Sequence, residues 1–369
     1  MVEQYDHMVI GGGVYGTHVA ASIAESFPHD KVLLVEQEPK LFMRASTNNQ
    51  RVLHWGYQSP LHPETARQNI RNVKRFSDRF SDCVNWDVTS YYGIHADSVV
   101  SPPDYEAFCE NIGLQYERDP HLGHALFGDD VVVVYQTNEV TYSAMILQGH
   151  LREQLNSANV EIRINCSVNS LQTNGDNIQV LLMDGRFVDA QNVFNCTFSS
   201  INDINARSNL PLIRTTHNRL GLFRITLPSR LKDISATVIY GPFASLIASN
   251  GEGTHLLAHV KHSNCAEGID IAPMDDISAD ELTRRYHASV LDAKRYLPIL
   301  GEGQYKGGFT EVRSVSGTDS VEGDRTVQTF RNYGGLENYH VILGGKINCF
   351  FEAGEFAVAV LHKRGSNLV

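Results

Sequence analysis

The sequence predicts an α/β protein in which a parallel sheet is interleaved with a second, mainly antiparallel sheet. Three observations carry that expectation. Tyr5 to Glu36 reads strand, glycine turn, helix, strand, acid. Asn205 to Phe309 is a series of short β-like runs joined by Pro, Gly and Asn turns. Near its end the chain returns to a strand, a glycine pair and a helix, so distant segments complete the first unit.

At the opening, Met8, Val9 and Ile10 run into Gly11-Gly12-Gly13-Val14-Tyr15-Gly16. Ala20, Ile23, Ala24 and Phe27 follow at helical spacing, and Val32-Leu33-Leu34-Val35 ends on Glu36. This is the fingerprint of a Rossmann dinucleotide site. Gly11 permits the sharp turn, Gly13 lets the backbone approach a pyrophosphate, and Gly16 lets the helix pack on the sheet. The helix start at Val14 and Tyr15 offers unpaired N–H groups and a positive dipole end to the phosphates. Glu36, followed by Gln37, stands at a strand's carboxyl end, where a carboxylate accepts from ribose hydroxyls. An acid there disfavours a ribose 2′-phosphate, so NADP is not expected.

Composition excludes other classes. The 369 residues suffice for a large core and two domains. Hydrophobic content of 42% with 20% charged residues is globular, and a net charge of −11 argues against nucleic acid as a partner. No apolar run reaches membrane-spanning length, and no cationic leader precedes the first strand. Cys83, Cys109, Cys166, Cys196, Cys265 and Cys349 are scattered, so neither a disulfide framework nor a zinc site is expected, and a reducing cytoplasm is the default compartment.

Beyond Pro39, Arg44 to Tyr57 is dense in short polar side chains with two arginines, His54 and Trp55. It reads as a surface loop or, following a nucleotide unit so closely, as a site loop. Ala66, Ile70, Val73, Phe76 and Phe80 predict a helix with Pro63 at its start. Its five basic residues read as a solvated face. From Val84 to Tyr142 strands and loops are expected, with Pro102-Pro103 as a break and a strand over Val131 to Tyr135. Ser143 is placed to cap a helix to about Leu155. The alternation from Val160 to Val168 predicts one strand, and Asp184-Gly185 a hairpin turn. Val193 to Thr197 reads as a strand returning to the first sheet, and Ala279 to Tyr296 as a helix. His255, His259 and His262 invite a metal reading, but strand alternation puts His262 on the opposite face from the other two, and no metal is expected.

Gly307 to Arg313 is a strand carrying an arginine; Val341-Ile342-Leu343 is a strand ending in Gly344-Gly345-Lys346, followed by a helical pattern. The glycine pair makes a second close approach, suited to a flavin ring. No second G-x-G-x-x-G follows a strand, so a separate NAD(P)H domain is not expected.

Together these segments resemble the FAD-dependent oxidoreductase superfamily of D-amino acid oxidase and glycine oxidase. In motifs the resemblance is closest to glycerol-3-phosphate and L-2-hydroxyglutarate dehydrogenases, through the fingerprint with Glu36, His54-x-Gly56, and Gly344-Gly345-Lys346. It implies a Rossmann-like FAD-binding domain of the glutathione-reductase type 2, formed by residues 1–90, 143–205 and 310–369. Residues 91–142 and 206–309 would form the substrate domain. The implied FAD contacts are Gly11, Gly13, Val14, Tyr15, Gly16, Glu36, Gln37, Ser46, Asn49, Gln50, Val168, Thr197, Gly344, Gly345, Lys346, Ile347 and Asn348.

The reaction expected is oxidation of a CH–OH group of a small polar, anionic metabolite, with hydride passing to flavin N5. His54 is the candidate base, Arg313 the substrate-anion residue, and Lys346 the cation beside the reduced flavin. Oxygen or a quinone would take the electrons. Amine or amino-acid oxidation is the alternative, and a non-catalytic flavin-binding assembly protein a third.

Overall fold

The computed structural model describes residues 2–119, 123–239, 243–249, 253–317 and 325–365. The first strand, Glu3–Ile10, is the spine of one sheet. Met8, Val9, Leu33 and Leu34 are fully buried, because helices and loops cover both faces. That is why these strands read as continuous apolar runs rather than alternations. Among the described residues the sheet has eight strands, ordered Val168–Asn174, Asn177–Leu182, Phe187–Asn195, Glu3–Ile10, Val32–Val35, Glu161–Arg163, with Tyr339–Leu343 on Phe187–Asn195 and Gln328–Phe330 beyond it. Glu3–Ile10 pairs in parallel with Val32–Val35 and with Phe187–Asn195, and Tyr339–Leu343 is parallel to the last three residues of Phe187–Asn195.

On one face the helix Val14–Ser26 packs between Ala144–Ser157 and the C-terminal Phe350–Gly365. Gly354 permits that contact: a Cβ there would lie 2.6 Å from Ser22 Oγ. His18 is buried in this seam, with its ring centroid 4.8 Å from that of Phe350.

The second sheet has nine strands among the described residues, ordered Asn264–Ile269, Thr215–Thr226, His255–His259, Ala244–Ala248, Ile234–Ile239, Thr89–His95, Val131–Thr137, Tyr116–Arg118, with Gln304–Ser316 also on Thr215–Thr226. All its pairings are antiparallel except Ile234–Ile239 with Thr89–His95. The helix Ala279–Ala293 packs on it, capped by Ser278 Oγ accepting from Glu281 N at 3.2 Å. Gln304–Ser316 crosses residue 310, where the expected division passes from one unit to the other. A small third sheet, Val52–Leu53, Val140–Tyr142 and Val84–Asn85, supports the polar loop.

Several expectations change. Pro102-Pro103 opens a helix, Pro102–Ile112, rather than breaking the chain: Ser101 caps it at Asp104 N, and proline suits a first turn. The alternation from Val160 to Val168 serves two strands at opposite edges of the sheet, because Asn165 turns the chain at φ 51°. His262 does not oppose His259. The strand ends at His259, and the following turn folds His262 back to a ring-centroid distance of 4.6 Å. His259 Nδ1 accepts from the backbone N–H of Lys261, so its proton sits on Nε2, facing Tyr296 and Asp292, and His259, His262 and Asp292 come together as a trio of possible metal ligands.

Burial holds His18 down to about 3 and His259 to about 4. Both native values lie below the unfolded one, so the stabilisation is full above about pH 6.5 and is lost as pH falls through these values. Tm measured by calorimetry should therefore drop between pH 6.5 and 4, and drop less in His18→Asn. Equal drops in the two proteins would contradict the assignment.

Candidate active site

The first glycine block lies where parallel strands finish. Gly11 has φ +105°, and a Cβ on it would lie 2.9 Å from Cys196 O. Gly16 is tighter: its Cβ would lie 1.9 Å from Gly11 O. The helix then starts at Gly13, which supplies no side-chain cap; Val14 N donates instead to Ser46 Oγ at 2.9 Å. A Cβ on Gly13 would meet Ser46 Oγ alone, at 2.9 Å. Glu36 is buried, with Oε2 accepting from Gly12 N at 2.5 Å and Oε1 from Glu38 N at 2.9 Å. Burial pushes its carboxyl above the ordinary range. Thr197 lies against Gly11 and donates through Oγ1 to Asn195 Oδ1 at 2.6 Å. The Val168 carbonyl accepts from Arg207 at 3.3 Å, and Gln37 is exposed.

Protein groups also require the glycine pair Gly344-Gly345. A Cβ on Gly344 would meet the Tyr15 ring at 3.0 Å, and one on Gly345 would meet Arg325 O at 2.1 Å. Protein groups demand these glycines directly. Tyr15 also donates to Lys346 O at 2.6 Å and accepts from Gly345 N at 3.2 Å, joining the two glycine blocks.

Lys346 points inward, 5% exposed, and its Nζ lies 3.2 Å from His54 Nε2. The other imidazole nitrogen, Nδ1, lies 3.2 Å from Glu139 Oε1. The small sheet explains this meeting. Leu53 pairs with Val140 in an antiparallel register, so His54 and Glu139 stand opposite each other one step beyond. Glu139 is 2% exposed and also accepts from Trp55 N at 3.1 Å and from Tyr92 Oη. Burial, then the Lys346 charge, holds His54 down to about 4, so it is neutral near pH 7. Burial and the nearby Arg325 hold Lys346 well below its ordinary value.

Arg313 lies on Gln304–Ser316, and its Nη2 donates to Asn218 Oδ1 at 3.0 Å across the register. Burial lowers its pKa, and burial with Arg313 brings Arg325 down to about 10. Lys346, Arg313 and Arg325 thus gather beside the neutral His54. Asn348 donates to the carbonyls of His54 and Asn69, each at 3.2 Å; Ile347 begins the short 3-10 turn Ile347–Cys349. Asn49 and Gln50 turn elsewhere: Asn49 Oδ1 accepts from Arg51 N at 2.6 Å, and Gln50 donates to Ser245 Oγ at 2.9 Å.

Sequence reasoning missed Glu139, Tyr92 and Arg325. Glu139 precedes a three-residue strand, and Arg325 lies outside any regular element, so neither sits in a pattern with a period.

Comparison with known proteins identifies the cofactor. Residues 6–321 match the DAO family, FAD dependent oxidoreductase. The chain belongs to that family. FAD is its cofactor, and this FAD-dependent oxidoreductase is an enzyme. It is similar to the FAD-dependent monooxygenase FPY4 of Fusarium mangiferae, 26% identical over 263 residues. The match covers 69% of this chain and spans 64% of that relative's length. In fold it is similar to NikD, an unusual amino acid oxidase essential for nikkomycin biosynthesis (TM-score 0.76, 16% identity, 97% of this chain and 94% of that one). It is also similar to L-alpha-glycerophosphate oxidase from Mycoplasma pneumoniae with FAD bound (0.73, 16%, 98% and 95%). Glycine oxidase from Geobacillus kaustophilus is a third (0.70, 14%, 98% and 94%). Among the described residues no helix is long and apolar enough to cross a membrane.

The residues fit FAD. A helix N-terminus at the strand's end, a buried acid and a side-chain-free Gly13 suit pyrophosphate and ribose. The buried Asn348 Oδ1 and Arg325 Nε find no partner among the described residues. In Gly13→Leu the side chain would fill the cradle. That variant should purify colourless, measured by flavin absorbance after desalting and FAD release on denaturation; a yellow variant with full FAD would refute the placement.

Proposed function

We propose that the enzyme oxidises the CH–OH group of a small anionic metabolite and passes the electrons to oxygen or a quinone. Bound FAD supplies a two-electron acceptor that takes the hydride. The observation that supports this reading most directly is the 3.2 Å contact between the neutral His54 Nε2 and Lys346 Nζ. An un-ionised imidazole beside a lysine keeps a lone pair that can accept a hydroxyl proton as the hydride leaves. Arg313 and Arg325 place positive charge beside the pair, which suits a carboxylate or phosphate on the substrate.

The same cations support amine oxidation as the second reading. Positive charge destabilises a substrate ammonium and favours the free amine. Anaerobic flavin bleaching separates the two. Hydroxy acids or phosphorylated alcohols should bleach the holoenzyme, and bleaching by amines and never by alcohols would reverse the order.

Two variants test the cations. Arg313→Lys should raise substrate KM by roughly tenfold or more, because a point charge cannot reproduce a guanidinium fork, and should leave the flavin potential nearly unchanged. Lys346→Met should lower the flavin reduction potential and slow reduction by every substrate. An unaltered KM in the first, or an unaltered potential in the second, would remove that residue from its role.

A further inference from the structure

We infer that Glu139 is the positioning residue for His54: its carboxylate fixes the imidazole as the Nδ1–H tautomer and aims the Nε2 lone pair at Lys346. Its use in catalysis rests on the function proposed above; its structural content does not.

The argument is one of donors and acceptors. Trp55 N–H donates to Glu139 Oε1, and the Tyr92 hydroxyl donates to Oε2. Oε1, already accepting from a backbone N–H, serves as an acceptor toward His54 as well. His54 Nδ1, 3.2 Å from Oε1, must then be the donor. A neutral imidazole has one N–H, so Nε2 carries the lone pair. Lys346 Nζ, 3.2 Å away, bears the hydrogen that Nε2 accepts. The chain from Lys346 through His54 to Glu139 therefore runs in one direction, each donor meeting an acceptor.

Glu139 has little freedom to do otherwise. It is 2% exposed and sits beside a register pair, Leu53 with Val140, that sets its backbone against that of His54. When the pair takes one proton from a substrate hydroxyl, the two electrons of the C–H bond leave with the hydride. The new positive charge then forms within reach of a carboxylate already in place, so no group has to reorient.

The tautomer is read directly by 15N-imidazole NMR on the holoenzyme. His54 is one of 16 histidines, so its signals are assigned by their loss in His54→Asn. The expected result is a proton on Nδ1; a proton on Nε2 overturns the inference. Glu139→Ala should give mixed tautomers, and an unchanged Nδ1–H signal would overturn it. Tyr92→Phe should keep the Nδ1–H form, and scrambling there would move the role to Tyr92. Glu139→Gln covers an alanine variant that does not fold. Its amide oxygen still accepts from Nδ1, so the tautomer should persist while kcat falls by about tenfold or more with little change in KM; wild-type kcat in that variant would overturn the role. The NMR readout needs no substrate, so a failed substrate assignment and a failed tautomer assignment give different results.

Discussion

Helix and strand can meet at the start of this chain only because Gly16 lacks a side chain. Any Cβ there would lie 1.9 Å from the Gly11 carbonyl, well inside contact distance. That one approach sets where the helix begins, and so where its unpaired amides point. Glu36 and Thr197 are then brought to the same corner by strands paired with the first one. The helix in turn presents Tyr15 to the second glycine block. The two glycine blocks are thus aligned by close backbone contacts, and side-chain chemistry is added to that frame.

The added chemistry is unbalanced in charge. Burial lowers all three cations, Arg325 and Arg313 add to the effect on Lys346, and Arg313 adds to that on Arg325; the acids facing them are Glu139 at Lys346 and Glu267 at Arg313. Desolvated like charges are unfavourable unless an anion joins them. A reduced flavin and an anionic substrate are both anions of that kind. The excess is a cost to the folded apoprotein that ligands relieve, which is how binding sites hold strain.

Much of the frame was legible because its signals are local. The fingerprint, the Asp184-Gly185 turn and the C-terminal helix each follow from spacing within a short window. Pro102–Ile112 was missed although its marks were present, since Ser101 caps it and Gly113 closes it at φ 78°; two prolines outweighed them in a reading by composition. The candidate residues named from sequence, the glycines, His54, Arg313 and Lys346, stand in motifs, and the structure brings His54 and Lys346 together. Glu139 was not. Its meeting with His54 depends on a register between strands of two and three residues, 85 positions apart. The glycine pair shows a subtler gap. Its position was read correctly, but the groups that forbid a side chain are Tyr15 and Arg325, which no local pattern reveals.

The Tyr15 hydroxyl bonds to the Lys346 carbonyl across 331 positions of sequence. During synthesis, therefore, the fingerprint helix emerges long before its partner. The cradle stays open on one side until Tyr339–Leu343 and Phe350–Gly365 have been made, and Tyr15 waits through 331 further residues for its mate. Contacts of such separation close slowly, after the chain's local structure has formed. A chain cut short before Gly344 would keep the recognisable motif at its front and lack the clamp that finishes it.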